Sequence, residues 1–162
     1  FLEFALTVYP EIDPSRLAIM GTGYGAYLAS LATSKTNCFA AAICDGTISN
    51  CISMEATSDH GLTFSAKQMK ANSYTQPEEL WERSPLSRIA SMKTPTLILH
   101  GEDDRSSHLS QGQMLFTALK VHNIPTRMCI FQGENHNLSS NGTLTARDRY
   151  FSEVIQWLSV YL

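Results

Sequence analysis

The chain has 162 residues, 43% of them hydrophobic and 17% charged, which suits one domain-sized core and excludes a disordered or fibrous class. A net charge of −3 implies no surface for nucleic acid or an anionic membrane, and no apolar run reaches the ~20 residues of a membrane span. Four cysteines (Cys38, Cys44, Cys51, Cys129) without C-x-x-C or zinc spacing, and no signal-peptide pattern, predict reduced thiols in a cytoplasmic protein with no metal or cofactor.

Residues 1–9 carry a helical apolar pattern that stops at Pro10. Because the chain opens inside this pattern, on Phe1, it is expected to be a piece of a longer protein. Arg16–Met20 reads as a strand and Tyr24–Ala32 as a helix. Phe39–Cys44 is a continuous apolar run, the pattern of a strand covered on both faces. Ser49–Ala56 and Thr63–Lys70 read as helices. Pro77–Arg83 reads as another, with Glu78 and Glu79 in its first turn, and Ser87–Ala90 as one more turn. Thr96–His100 is a strand, Ser110–His122 a helix despite Gly112, and Arg127–Phe131 a strand. Thr143–Tyr161 is a closing helix whose Tyr150, Phe151, Val154, Ile155, Trp157, Leu158 and Tyr161 follow a 3.6-residue period. Alternation of strands and helices predicts an α/β fold: a parallel sheet of about four strands with helices on both faces. The long stretch at about 45–94 is expected to be an irregular insert beside the site.

The segment Leu17-Ala18-Ile19-Met20-Gly21-Thr22-Gly23-Tyr24-Gly25 is an apolar run, a Gly-rich turn and the start of a helix. This is the strand–turn–helix context of the G-x-S-x-G nucleophile elbow. The flanking glycines stand at Gly21 and Gly25. The position of the attacking hydroxyl is Gly23, which has no side chain. The spacing fits neither G-x-G-x-x-G nor a P-loop, which needs a Lys. Two later runs end in ionisable groups. Thr94–Leu99 leads into His100-Gly101-Glu102-Asp103-Asp104, and Arg127–Phe131 leads into Gly133-Glu134-Asn135-His136. The order of nucleophile turn, acid and histidine is that of the α/β-hydrolases.

The chain resembles the C-terminal half of the hydrolase domain of prolyl-oligopeptidase-type serine peptidases, in the acylaminoacyl-peptidase-like branch. Further residues carry the likeness: Asp13–Leu17, Tyr27, Leu80-Trp81-Glu82-Arg83-Ser84-Pro85-Leu86 and Leu115–Lys120, so it covers nearly the whole of residues 1–162. The resemblance implies that Gly23 stands at the nucleophile, Asp104 at the triad acid and His136 at the general base. The backbone N–H of Tyr24 would be one oxyanion donor, the second lying upstream of Phe1. It further implies a propeller and the first half of the hydrolase sheet before Phe1, and peptide or acyl-peptide ligands.

Departures from the family pattern cluster at the site: Gly23, Ala26, Cys51, His108 and Asn137. An Asp–His pair without its nucleophile loses the covalent route, so the chain is expected to be catalytically dead. Thr22, Cys38 and Cys44 are weighed as substitutes and set aside as badly placed or buried. Two alternatives give the same letters: an active peptidase or esterase carrying an engineered Ser-to-Gly change, and a non-enzymatic binding or assembly module. A flavodoxin-like module is disfavoured by the Leu80–Leu86 and Glu134–His136 matches. The strand at 17–20 would be left with a bare edge. A second copy of the chain, a swapped segment or the missing N-terminal part is expected to cover it.

Overall fold

The computed structural model describes residues 2–162; Phe1, the first residue of the predicted opening helix, lies outside them. Four parallel strands make one sheet in the order of the sequence: β1 (Ala18–Thr22), β2 (Ala41–Asp45), β3 (Thr96–Gly101) and β4 (Thr126–Phe131). The registers pair Ala18 with Ala41, Ala42 with Thr96, and Thr96 with Thr126. β1 begins and ends two residues later than the Arg16–Met20 expected. Met20 was read as the last residue because two glycines follow closely. The strand instead runs through Gly21, which pairs with Cys44. A Cβ at Gly21 would lie 2.2 Å from the Gly25 carbonyl carbon, so the glycine there lets α2 fold back onto the strand.

Alternate residues of the central strands face opposite layers. Ile43, Leu97, Leu99, Cys129 and Phe131 pack with Tyr150, Val154 and Trp157 of the long helix α8 (Leu144–Tyr161). On the other face Cys44 packs with Ala26 and Ala29 of α2 (Tyr24–Thr33). There Ile98 packs with Leu115 and Leu119 of α6 (Leu109–Val121). Every residue of β2 and β3 is buried, which accounts for their unbroken apolar runs. Each such Leu or Ile contributes roughly 1.5–3 kcal/mol by leaving water.

The segment between β2 and β3 is a string of short helices: α3 (Cys51–Thr57), α4 (Gly61–Phe64), a π turn (Ser65–Met69), α5 (Pro77–Arg83) and a 3-10 stretch (Pro85–Ser91). Their small core is Tyr27, Ile48, Cys51, Met54, Phe64, Met69, Ala71 and Leu80. A buried glutamine ties this unit to the sheet. Gln111 Oε1 accepts the N–H groups of Ser49 (3.0 Å) and Asn50 (2.9 Å), and its backbone oxygen accepts Ser49 Oγ (2.6 Å). Ser49 was expected to open α3. It stands outside because Asn50 is the cap, its side chain accepting from Ile52 and Ser53. A four-residue helix, α7 (Leu138–Asn141), precedes α8 and was not expected.

Among the described residues β1 has a neighbouring strand on one side only. Met20 on it is 47% exposed, and α1 (Leu2–Val8) buries none of its residues.

Candidate active site

The site stands where the C-terminal ends of β1, β2, β3 and β4 open onto one cavity. Gly23, directly after β1, has φ +57° and ψ −117° and caps α2. That backbone lies in a region strained for any L side chain, at about 1–3 kcal/mol. An ideal Cβ built on Gly23 would sit 2.7 Å from His136 Nε2, and apart from its own chain neighbours the three nearest atoms all belong to that imidazole. The elbow therefore keeps the conformation that aims a side chain at the histidine, and only the side chain is missing.

Asp104 lies in the tight turn after β3, 2% exposed. Its Oδ1 accepts the backbone N–H of Ser106 (2.9 Å) and Ser107 (2.8 Å). Its Oδ2 accepts from His136 Nδ1 at 2.7 Å. Because a carboxylate only accepts, Nδ1 carries the hydrogen and Nε2 is left facing Gly23. The bond to Asp104 holds the imidazole above its usual range, against the opposing effect of burial. His136 reaches this position through a turn after β4, in which Gly133 has φ +68°. The turn is docked on β3 by a bond from Asp103 N–H to the Glu134 carbonyl (2.9 Å). The three residues expected at the site are thus brought together from three strand ends. Tyr24, the fourth, begins α2 beside them, and its N–H has no partner among the described residues.

Several neighbours were not anticipated. Asp45 ends β2 and is 1% exposed. Its backbone oxygen accepts Gly23 N–H (2.8 Å), and its Oδ2 accepts Thr22 Oγ1 (3.1 Å) and Tyr150 Oη (3.1 Å). Asp45 thereby clamps the elbow to β2 and α8. Burial pushes its carboxyl up to about 6. Gly46 follows at φ +53°, where a Cβ would lie 3.0 Å from His136 Nδ1 and 3.1 Å from Asp104 Oδ2, so the Asp–His pair needs glycine there. His100, fully buried, donates from Nε2 to the Ser107 carbonyl (2.7 Å), and burial holds its imidazole below the usual range. A Cβ on Gly112 would fall 2.6 Å from His100 Nδ1. The glycine within α6 is the space for this ring, which supports the Asp104 turn from behind.

No substitute nucleophile emerges among the residues weighed. Thr22 spends its hydroxyl on Asp45. Burial pushes the Cys44 thiol up to about 11, and its sulfur lies 3.3 Å from Ser30 Oγ in the core. Cys38 is half-buried, and all four cysteines are unpaired. His108 caps α6, accepting from Ser110 N–H. Among the described residues no group of three or more His, Cys, Asp or Glu is placed to hold a metal ion, and no helix is long and apolar enough to cross a membrane.

The cavity in front of His136 has a volume of about 330 Å³ and is lined by Gly23, Tyr24, Ile48, His60, Phe64 and Lys67 among others. Tyr24 and Phe64 meet edge to face at 6.4 Å.

The prolyl oligopeptidase family matches residues 2–162 of the chain. The chain belongs to that family. It is 37% identical over 153 residues to an uncharacterized peptidase, YuxL, of Bacillus subtilis, covering 94% of this chain and 23% of that protein. The acylamino-acid-releasing enzyme of Rattus norvegicus is 28% identical over 161 residues, covering 94% and 21%. The solved acylaminoacyl peptidase of Pyrococcus horikoshii superposes with a TM-score of 0.95 at 27% identity, covering 99% of this chain and 26% of that one. The α/β-hydrolase architecture is thereby shared with acylaminoacyl peptidases of the family. The chain spans about a quarter or less of the length of these relatives.

Proposed function

We propose that this chain is the C-terminal part of a hydrolase domain of the serine-peptidase lineage that works on peptide or acyl-peptide bonds. In this reading Asp104 and His136 are the acid and base of its triad, Tyr24 N–H is one oxyanion donor, and Gly23 at the nucleophile position makes the chain inactive as a serine hydrolase. The observation that carries the reading is the Cβ direction of Gly23, which meets His136 Nε2 at 2.7 Å. Peptide or acyl-peptide binding is retained in the apolar cavity beside it. The rest of the hydrolase domain and an N-terminal propeller, or a second copy, cover the β1 edge, and the unpaired cysteines fit a cytoplasmic setting.

The relatives supply the substrate class: proteins named acylamino-acid-releasing enzymes and an acylaminoacyl peptidase lie among them. Loss of the nucleophile from a serine-protease triad costs about 10⁶ in rate. The test uses the full-length protein with acyl-amino-acid and para-nitrophenyl ester substrates and a fluorophosphonate label. The expected outcome is no turnover and no label, both returning in Gly23→Ser. Labelling of the unaltered protein would overturn the reading. The intact elbow dihedrals also favour a second reading, an active peptidase or esterase in which serine was replaced by design. A Ser codon in the source gene would establish that one and exclude a natural pseudoenzyme.

A further inference from the structure

A second cavity, of about 560 Å³, opens beyond the end of β4, where the turn carrying Glu134 meets the start of α8. It shares no lining residue with the cavity in front of His136. One wall holds a carboxylate fixed in advance. Glu134 is 6% exposed, and its Oε1 accepts the N–H (3.0 Å) and the hydroxyl (2.6 Å) of Thr143. Its Oε2 has no partner among the described residues and is not enclosed, so it opens on the cavity that Glu134 lines. We infer that this cavity binds a free α-amino acid with an aliphatic side chain, its ammonium held by Glu134 and Glu102 and its carboxylate by Arg149 and Thr145.

Glu102 comes from the turn after β3 and is brought alongside by the bond from its N–H to the Phe131 carbonyl (2.9 Å). Neither Glu102 nor Glu134 has an ion-pair partner among the described residues. An ionised carboxylate only accepts, so the pair calls for a donor, and an ammonium group supplies three. A Cβ on Gly142 would lie 2.9 Å from Glu134 Oε2, so the glycine there keeps that oxygen free. Arg149 brings the opposite sign. Its guanidinium lies over the Phe131 ring, 5.3 Å from the centroid. Its ion pair with Glu153 is long, at 3.9 Å, and that carboxylate is already held by Arg127 at 3.0 Å. Thr145 and Arg149 stand four residues apart on one face of α8, in its opening turns, where the helix dipole favours a carboxylate. A simple anion would meet two carboxylates here, and a simple cation would meet the guanidinium. A molecule carrying both charges on one carbon satisfies both walls. Ile130 and Ala146 leave an apolar strip for its side chain.

The experiment is calorimetric titration of the full-length protein, near neutral pH, with L-leucine, with L-leucinamide, which lacks the carboxylate, and with N-acetyl-L-leucine, which lacks the ammonium. Leucine should bind about tenfold or more tightly than either analogue, because each analogue forfeits a charge-assisted contact. Glu134→Gln keeps a carbonyl oxygen for Thr143 and removes the charge, and Arg149→Met keeps cover over Phe131. Each should weaken leucine about tenfold or more. Where Glu134→Gln fails to fold, Glu102→Gln, at an exposed position, carries the same expectation. An analogue that binds as tightly as leucine overturns the site. So does leucine binding that survives unchanged in Arg149→Met and the glutamate variants, since the ligand then sits elsewhere, the elbow cavity included. A leucine Kd weaker than about 10 mM overturns it as well. None of these outcomes alters the reading of the elbow, which the fluorophosphonate and ester assays test separately.

Discussion

The elbow at Gly23, after the edge strand β1, and the arm carrying Asp104 and His136, after β3 and β4, reach the same cavity. They have kept different things. The elbow retains its backbone, with φ +57° and a clamp through Asp45, but offers no reacting group. The arm retains both backbone and chemistry: a buried carboxylate with three donors and an imidazole aimed at the elbow. The elbow is held here with glycine at position 23. Chain reversal from β1 into α2 needs it, as the 2.2 Å approach at Gly21 indicates. Conformation there reports the architecture, and only the side chain reports the reaction.

This contrast can be broken most sharply at the arm. In the Gly23→Ser protein, Asp104→Asn should cut kcat by about 10⁴, because the imidazole loses the acceptor that fixes its tautomer; steady-state ester hydrolysis measures it. A drop below tenfold would mean that Asp104 does not orient His136 in the working site. Next comes the clamp. Asp45 titrates near 6 folded against 3.8 as a free side chain. Its native state therefore binds the proton more tightly, and stability contributed by the protonated form is lost as pH rises through 6. Asp45→Asn removes the buried charge and should stabilise the protein above pH 6 by up to about 3 kcal/mol. The gain should vanish below pH 4. Urea denaturation at pH 7.5 and pH 4 checks both limbs.

At the elbow itself, Gly23→Ala adds the strain without the hydroxyl. It should cost about 1–3 kcal/mol in the same assay, and His136 must move away, because a Cβ there would lie 2.7 Å from Nε2. No loss would show that the dihedral is not held in solution. The smallest effect is a titration. His136 is raised by Asp104, so the stability it contributes is present below its unfolded value and fades as pH rises through the folded one. An NMR pH titration should show its pKa falling in Asp104→Asn and staying raised in Gly23→Ala.

The arm was legible in the sequence because each residue follows directly on an apolar strand, and strand ends in a parallel sheet converge. The contacts that support it were not. Asp45 meets Tyr150 across 105 positions, and no local pattern joins a strand-terminal aspartate to the middle of a distant helix. Gly46 looks like an ordinary turn glycine until its neighbours are known. Gly112 reads as a weak point of α6, whereas the structure makes it the berth of His100. The β1 boundary was misjudged because glycines signal chain reversal. Here the strand runs through Gly21 to Thr22, whose hydroxyl has an acceptor across the sheet in Asp45. For α7, four residues are too few to show a helical period.

The positive φ at Gly23 gives the two directions of change unequal standing. Going from serine to glycine relaxes a constrained residue. Going back must impose about 1–3 kcal/mol again, a sizeable share of the 5–15 kcal/mol that holds a typical domain together. A lineage that has drifted down this step faces an uphill return, and any later mutation drawing on the released margin steepens it.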